Sequence, residues 1–195
     1  MAPIQLSEAL TKIDQANAND PNHEIIEGQS IPKELIYGQR MTQTINTFEP
    51  NASVALQIAA RAQHICRWEI PRETYPMDRV GYLKWREDLK KFHAKKTAGI
   101  LTEIGYDKET IERVSFLLQK KKLKKDIETQ TLEDVICLVF LNFYYEGFLI
   151  KHEEEKIIDI LQKTWRKMSE KGHKAALQLS YSDKGLALIK KALAE

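Results

Sequence analysis

The residue types best able to do chemistry gather in two short stretches, "RAQHICRWEIPR" at 61–72 and "LKKFHAKK" at 89–96. The first carries Arg61, His64, Arg67, Trp68 and Arg72, and the second carries His93. Imidazole titrates nearest neutrality of all side chains and is a common ligand of divalent metals. Guanidinium groups offer forked donors that match phosphate and carboxylate oxygens. The combination points to a pocket for an anionic ligand.

Helical spacing decides which of these groups can meet. On a 100° wheel, residues 82–104 gather Tyr82, Trp85, Leu89, Ile100 and Ile104 on one stripe, with His93 in its middle, Arg86 two turns before and Thr97 one turn after. A buried histidine needs hydrogen-bond partners or a metal. His93 is therefore either a satisfied core histidine or a ligand. On the preceding helix the apolar stripe is Val54, Ile58, Ala62 and Ile65, and His64 lies off it. Gln57, Arg61, His64 and Trp68 form a separate polar and aromatic face, either solvated or lining a pocket with Arg67 at its edge.

A third group comes from "TLEDVICLVFLNFYYEGF", where Glu133 and Asp134 open a helix that is apolar on nearly every side. Such a helix belongs at the centre of a bundle. Asp134 either enters that centre as a functional carboxylate or closes a Thr131-x-x-Asp134 capping arrangement. The run "KKKLKKD" at 120–126 is either a solvated helix end or a basic rim placing Lys121 near an anionic substrate.

The elements that must hold these groups are helical throughout. Helices are expected at 4–17, 33–47, 53–68, 79–104 (closed by Gly105), 108–121 (capped by Asp107), 132–148, 152–170 and 183–194. No alternating strand pattern competes, and no internal repeat is visible. The expected fold is all-α, a single-domain helical bundle over residues 1–195 with a central buried helix near 132–148. Helices within 1–50 pack on a 53–180 core, and 181–195 adds a C-terminal helix.

Bulk properties narrow the function classes. With 43% hydrophobic and 30% charged residues, the 195-residue chain has an ordinary globular composition. A net charge of +2 is too balanced to argue for nucleic acid or membrane by itself. Cys66 and Cys137 are too few for a disulfide framework, the N-terminus lacks a secretory pattern, and "VICLVFL" is too short to cross a bilayer. A cytoplasmic protein without a membrane partner is expected.

Two histidines 29 residues apart, followed 41 residues later by a carboxylate opening a buried helix, resemble the HD-domain phosphohydrolases. That resemblance implies an HD-like bundle in which His64, His93 and Asp134 hold a divalent metal (Mn, Fe, Co, Zn or Mg) that activates water against phosphorus. The chain departs from the pattern at Ala94, which stands where the paired aspartate would follow His93.

A wider resemblance covers nearly the whole chain. "DQANANDPN", "KELIYGQRM", "RAQHICRWEIPR", "YPMDRVGYLKWREDLKKFHA", "TLEDVICLVFL" and "KTWRKMSEKGH" resemble an uncharacterised domain family of bacteria and eukaryotes. It implies an all-α fold in which His64, Arg67, Trp68, Arg72, Trp85, Arg86, His93, Glu133 and Asp134 occupy motif positions. Members of that family are sometimes labelled glutamyl-tRNA synthetase. "KMSEK" at 167–171 resembles the lysine loop of those enzymes, but such loops act on a Rossmann sheet and no βαβ pattern is present here. The label is therefore rejected.

The functional expectation is a metal-dependent phosphohydrolase acting on a phosphate ester or nucleotide. Glu133 and Asp134 are its catalytic carboxylates. Arg61, Arg67, Trp68, Arg72, Arg86 and Lys121 bind substrate. The alternatives are a non-catalytic nucleotide- or RNA-binding module using the same cationic pocket, and a two-His-one-carboxylate iron oxidoreductase.

Overall fold

The computed structural model of the protein describes residues 2–194, and the chain is all-α. It forms two compact units, residues 1–122 and 123–195. Among the described residues, no helix is long and apolar enough to cross a membrane.

The first unit packs five helices: α1 (Ala2–Asn17), α2 (Lys33–Phe48), α3 (Val54–Arg61), α4 (Arg79–Ile104) and α5 (Lys108–Leu118). Short polar caps start three of them. Ser53, Asp78 and Asp107 each accept a backbone N–H of the first turn, from Leu56, Gly81 and Thr110 respectively. Gly105, at φ +85°, ends α4 in the left-handed conformation. Ile13, Met41, Ile45, Ile58, Ile65, Leu89, Leu101 and Leu117 fill the core. Gly38 lets α2 lie close against α3, because a Cβ there would stand 2.9 Å from the Arg61 carbonyl oxygen.

Three features of this unit differ from the sequence reading. Residues His23–Ile26 and Gln29–Pro32 pair as an antiparallel hairpin, β1 and β2, across Glu27 and Gly28. Both turn residues have positive φ, which suits the right-handed twist of a two-residue hairpin. Helix α3 stops at Arg61 rather than near Trp68. The chain then turns through Cys66, at φ +50°, into a 3₁₀ turn at Arg67–Glu69. Tyr82, placed on the buried stripe by the wheel, is 43% exposed.

The second unit contains α6 (Ile127–Val139), a π-helical turn at Phe140–Tyr144, α7 (Tyr145–Lys151), α8 (Glu154–Lys167), α9 (Glu170–Ala176) and α10 (Asp183–Ala194). Asp126 caps α6, so the helix begins well before Thr131 and the capping alternative for Asp134 at Thr131 does not form. The expected helix 132–148 is broken by the π turn, and 152–170 is split where Ser169 caps α9. Helix α6 buries Leu132, Glu133, Asp134, Val135, Cys137, Leu138 and Val139.

A candidate anion site at His64 and Arg67

The turn after α3 and the start of α2 are tied together before any ligand is considered. Asn17, buried at the end of α1, accepts the Cys66 backbone N–H at 2.9 Å on Oδ1 and donates from Nδ2 to the Glu34 carbonyl at 3.3 Å. Asp20 accepts the Glu34 backbone N–H at 3.0 Å. Pro32 supplies no side-chain cap to α2, so Asp20 does that work from outside the helix. The same amide that holds the strained Cys66 turn therefore also fixes the residue facing it.

That geometry aligns three side chains. Glu34 Oε2 lies 3.1 Å from His64 Nδ1, and Arg67 Nη1 lies 3.0 Å from His64 Nε2. A guanidinium only donates, so His64 Nε2 must carry the lone pair and Nδ1 the proton, which points at Glu34. Tyr37 stacks flat on the imidazole, with ring centroids 3.9 Å apart and planes 10° apart. The Arg67 guanidinium lies 4.7 Å from the centre of the Trp85 ring.

Burial sets the protonation states. It pushes the Glu34 carboxyl up to about 7, with Arg67 and Lys33 pulling in the opposite direction. His64 is held well below its usual 6.5, first by burial and then by Arg67, Arg86, Lys120 and Lys33. The site therefore combines a neutral imidazole, a carboxyl poised near neutrality and several cations, an arrangement that favours an anion.

His93 reaches the same place from α4. It is 3% exposed, its ring centroid lies 6.1 Å from that of His64, and its Nε2 has no hydrogen-bond partner. Burial, His64 and Arg67 together hold its pKa well below 6.5. Buried polar atoms without partners are uncommon, and an oxygen-bearing ligand would satisfy this one.

The other sequence candidates are distributed differently. Arg61 makes a two-pronged contact with Asp14, Nε to Oδ1 at 2.6 Å and Nη2 to Oδ2 at 2.5 Å. Arg72 donates to the carbonyls of Tyr75, Pro76 and Asp78 and braces the loop before α4. Arg86, half-buried, donates to Tyr82 Oη at 3.4 Å, and its charge acts on His64. Trp68 is half-buried in the 3₁₀ turn, and Lys121 is exposed. In the second unit, Asp134 Oδ1 accepts the Ser169 N–H at 2.8 Å and Gln130 Nε2 at 3.1 Å. Its Oδ2 accepts Ser169 Oγ at 2.5 Å. Glu133 is buried, with Lys167 Nζ 3.9 Å from its Oε1.

These contacts bear on the divalent metal that the HD resemblance implies. His64 Nε2 already accepts a guanidinium proton, Nδ1 faces a carboxyl, and both Asp134 oxygens accept hydrogen bonds within the second unit. Among the described residues, no group of three or more His, Cys, Asp or Glu side chains is placed to hold a metal ion. As arranged, the described residues do not fit the metal.

Of the sequence candidates, the structure brings His64, Arg67, Arg86 and His93 together, and it adds Glu34, Tyr37, Asn17 and Asp20, which the sequence did not single out. Two of these lie in "DQANANDPN" and two in "KELIYGQRM", blocks that carried the family resemblance without a chemical role.

No curated protein and no solved structure matches the chain. The model of the family described as Domain of unknown function (DUF4202) matches residues 7–189, so the chain belongs to that family.

Proposed function

We propose that the first unit binds the phosphate of a phosphorylated small molecule or nucleotide at Arg67 and His93, with His64 beside them as the base, and hydrolyses the phosphate ester. The observation that carries this reading is Arg67 donating to an imidazole nitrogen beside a second, unpartnered imidazole nitrogen. An incoming phosphate offers the guanidinium a better acceptor, with opposite charge and two oxygens for its fork. Arg67 then turns to the anion, and His64 Nε2 is released as a base.

The proton accounting is simple. His64 Nε2 takes a proton from water as the water oxygen attacks phosphorus, and Glu34 steadies the imidazolium through Nδ1–H. The phosphorus–oxygen bond to the alcohol breaks, and the leaving oxygen takes its proton from solvent. Arg67 and Arg86 offset the charge that accumulates on the phosphoryl oxygens.

A second reading is a non-catalytic binding module for the same ligands. It is favoured by the same Arg67 contact, which covers the only lone pair His64 offers. Phosphate release from a panel of phosphomonoesters and nucleotides separates the two. Turnover lost in His64→Ala but accompanied by retained ligand binding supports the hydrolase. Saturable binding with no turnover of any panel member supports the module. Absence of binding in the wild type defeats both.

A further inference from the structure

The loop and first turn of α4 carry an apolar cluster that nothing in the helical packing uses. Met77, Val80 and Leu83 are 78%, 75% and 56% exposed, within seven residues of one another. Isolated exposed aliphatics are normal on a protein surface, but three together at one tip are not. The tip is also rigid. Arg72 clamps the carbonyls of Tyr75, Pro76 and Asp78, and Asp78 caps the helix through the Gly81 N–H at 2.7 Å. Gly81 is required there, since a Cβ would stand 2.1 Å from the Pro76 carbonyl oxygen.

Exposed cations flank this tip. Arg79 and Lys84 are exposed next to it, and Lys91 and Lys95 continue the face begun by Val80 and Lys84 at helical steps of seven and four residues. None of these four cations forms an ion pair among the described residues. Acidic side chains share this side: Glu73 is exposed, Asp78 caps α4 through the Gly81 N–H, Glu87 pairs with Lys90 at 3.0 Å, and Asp88 accepts from Tyr75 Oη at 3.1 Å. The four cations run from Arg79 to Lys95, about 24 Å of α4, which itself spans 26 residues.

We propose that this face of α4 docks on an anionic lipid bilayer, with Met77, Val80 and Leu83 entering the headgroup–acyl boundary and Arg79, Lys84, Lys91 and Lys95 resting on the lipid phosphates. Protruding side chains without neighbours suit a soft medium that closes around them, whereas a protein partner would need matching hollows. Aliphatic insertion combined with polybasic attraction is the two-signal arrangement that gives stable but reversible membrane binding. The inference stands apart from the phosphate site and departs from the composition-based expectation of no membrane partner. The balanced total charge hides an uneven distribution.

Co-sedimentation of the full chain with vesicles tests it, using phosphatidylcholine alone and phosphatidylcholine with about one third phosphatidylserine. The expected result is binding only to the anionic vesicles. Partitioning falls about tenfold or more in Val80→Asp/Leu83→Asp and again in Lys84→Glu/Lys91→Glu. All four positions are exposed, so folding and phosphate binding should persist in both variants. No partitioning into anionic vesicles overturns the proposal, as does equal partitioning by wild type and both variants. Self-association or RNA binding abolished by the same changes, without vesicle binding, also overturns it and identifies the other occupant.

Discussion

Arg67 Nη1 stands 3.0 Å from His64 Nε2 and so fixes which ring nitrogen of His64 carries the proton. Removing this guanidinium removes both the hydrogen bond and the second-largest influence depressing the histidine. In Arg67→Ala, the His64 pKa should rise toward its ordinary 6.5 while burial still holds it lower. Phosphate affinity should fall by about tenfold to a hundredfold, the size of a lost charge-assisted hydrogen bond. Calorimetry with inorganic phosphate and an imidazole NMR titration read the two effects separately.

The Glu34 carboxyl makes a signed prediction for pH. Its folded pKa is raised to about 7, so its contribution to stability is full below about 4.5 and is lost as pH rises through about 7. His64 and His93 have depressed pKa values, so their contribution is present above 6.5 and is lost as pH falls. Between about 4.5 and 6.5 the loss of the Glu34 contribution offsets a rise with pH from the two imidazoles. Glu34→Gln should steepen that rise by up to about 1.4 kcal/mol per pH unit, one proton's worth. Urea unfolding at several pH values measures the slope difference, and an unchanged slope would contradict the raised Glu34 pKa.

Asn17 should act on the site without touching any ligand. Asn17→Ala leaves the Cys66 N–H and the Glu34 carbonyl without their side-chain partner in a buried place. The expected loss is about 1–3 kcal/mol of unfolding free energy. Phosphate affinity should weaken as well, because Glu34 and the Cys66 turn no longer hold register. Loss of stability with fully wild-type affinity would show that Asn17 does not position the site.

Asp134 tests the structural role of the second unit. A Cβ on Gly172 would stand 2.7 Å from Asp134 Oδ1, so this carboxylate is packed as tightly as it is hydrogen-bonded. Asp134→Asn weakens the acceptor for Ser169 and should cost about 1–3 kcal/mol of stability. Phosphate affinity, measured at a temperature where the variant is folded, should remain within about twofold, below the roughly tenfold effect of removing a ligand contact. A large loss of affinity in folded protein would return Asp134 to the functional site.

The helices were legible where the chain carries its own punctuation. Ser53 and Asp107 act within one turn of the helices they start, and Gly105 ends α4 by its own backbone freedom. What escaped depends on distant partners. Cys66 adopts φ +50° in a segment of good helix formers, held by an Asn17 amide 49 residues away. Glu34 reads as an ordinary first-turn acid, and only packing brings it to a histidine 30 residues later. The hairpin strands are four residues each, too short for alternation to show. His93, by contrast, is buried as its apolar stripe requires.

The central claim is that an anion takes Arg67 away from His64. Imidazole nitrogen NMR of the full chain at pH 7, with and without inorganic phosphate, reads it directly. The expected spectrum shows neutral His64 protonated at Nδ1, and saturable phosphate binding shifts Nε2 as the guanidinium turns to the anion. A ring protonated at Nε2, or a spectrum unmoved by saturating phosphate, would contradict the account.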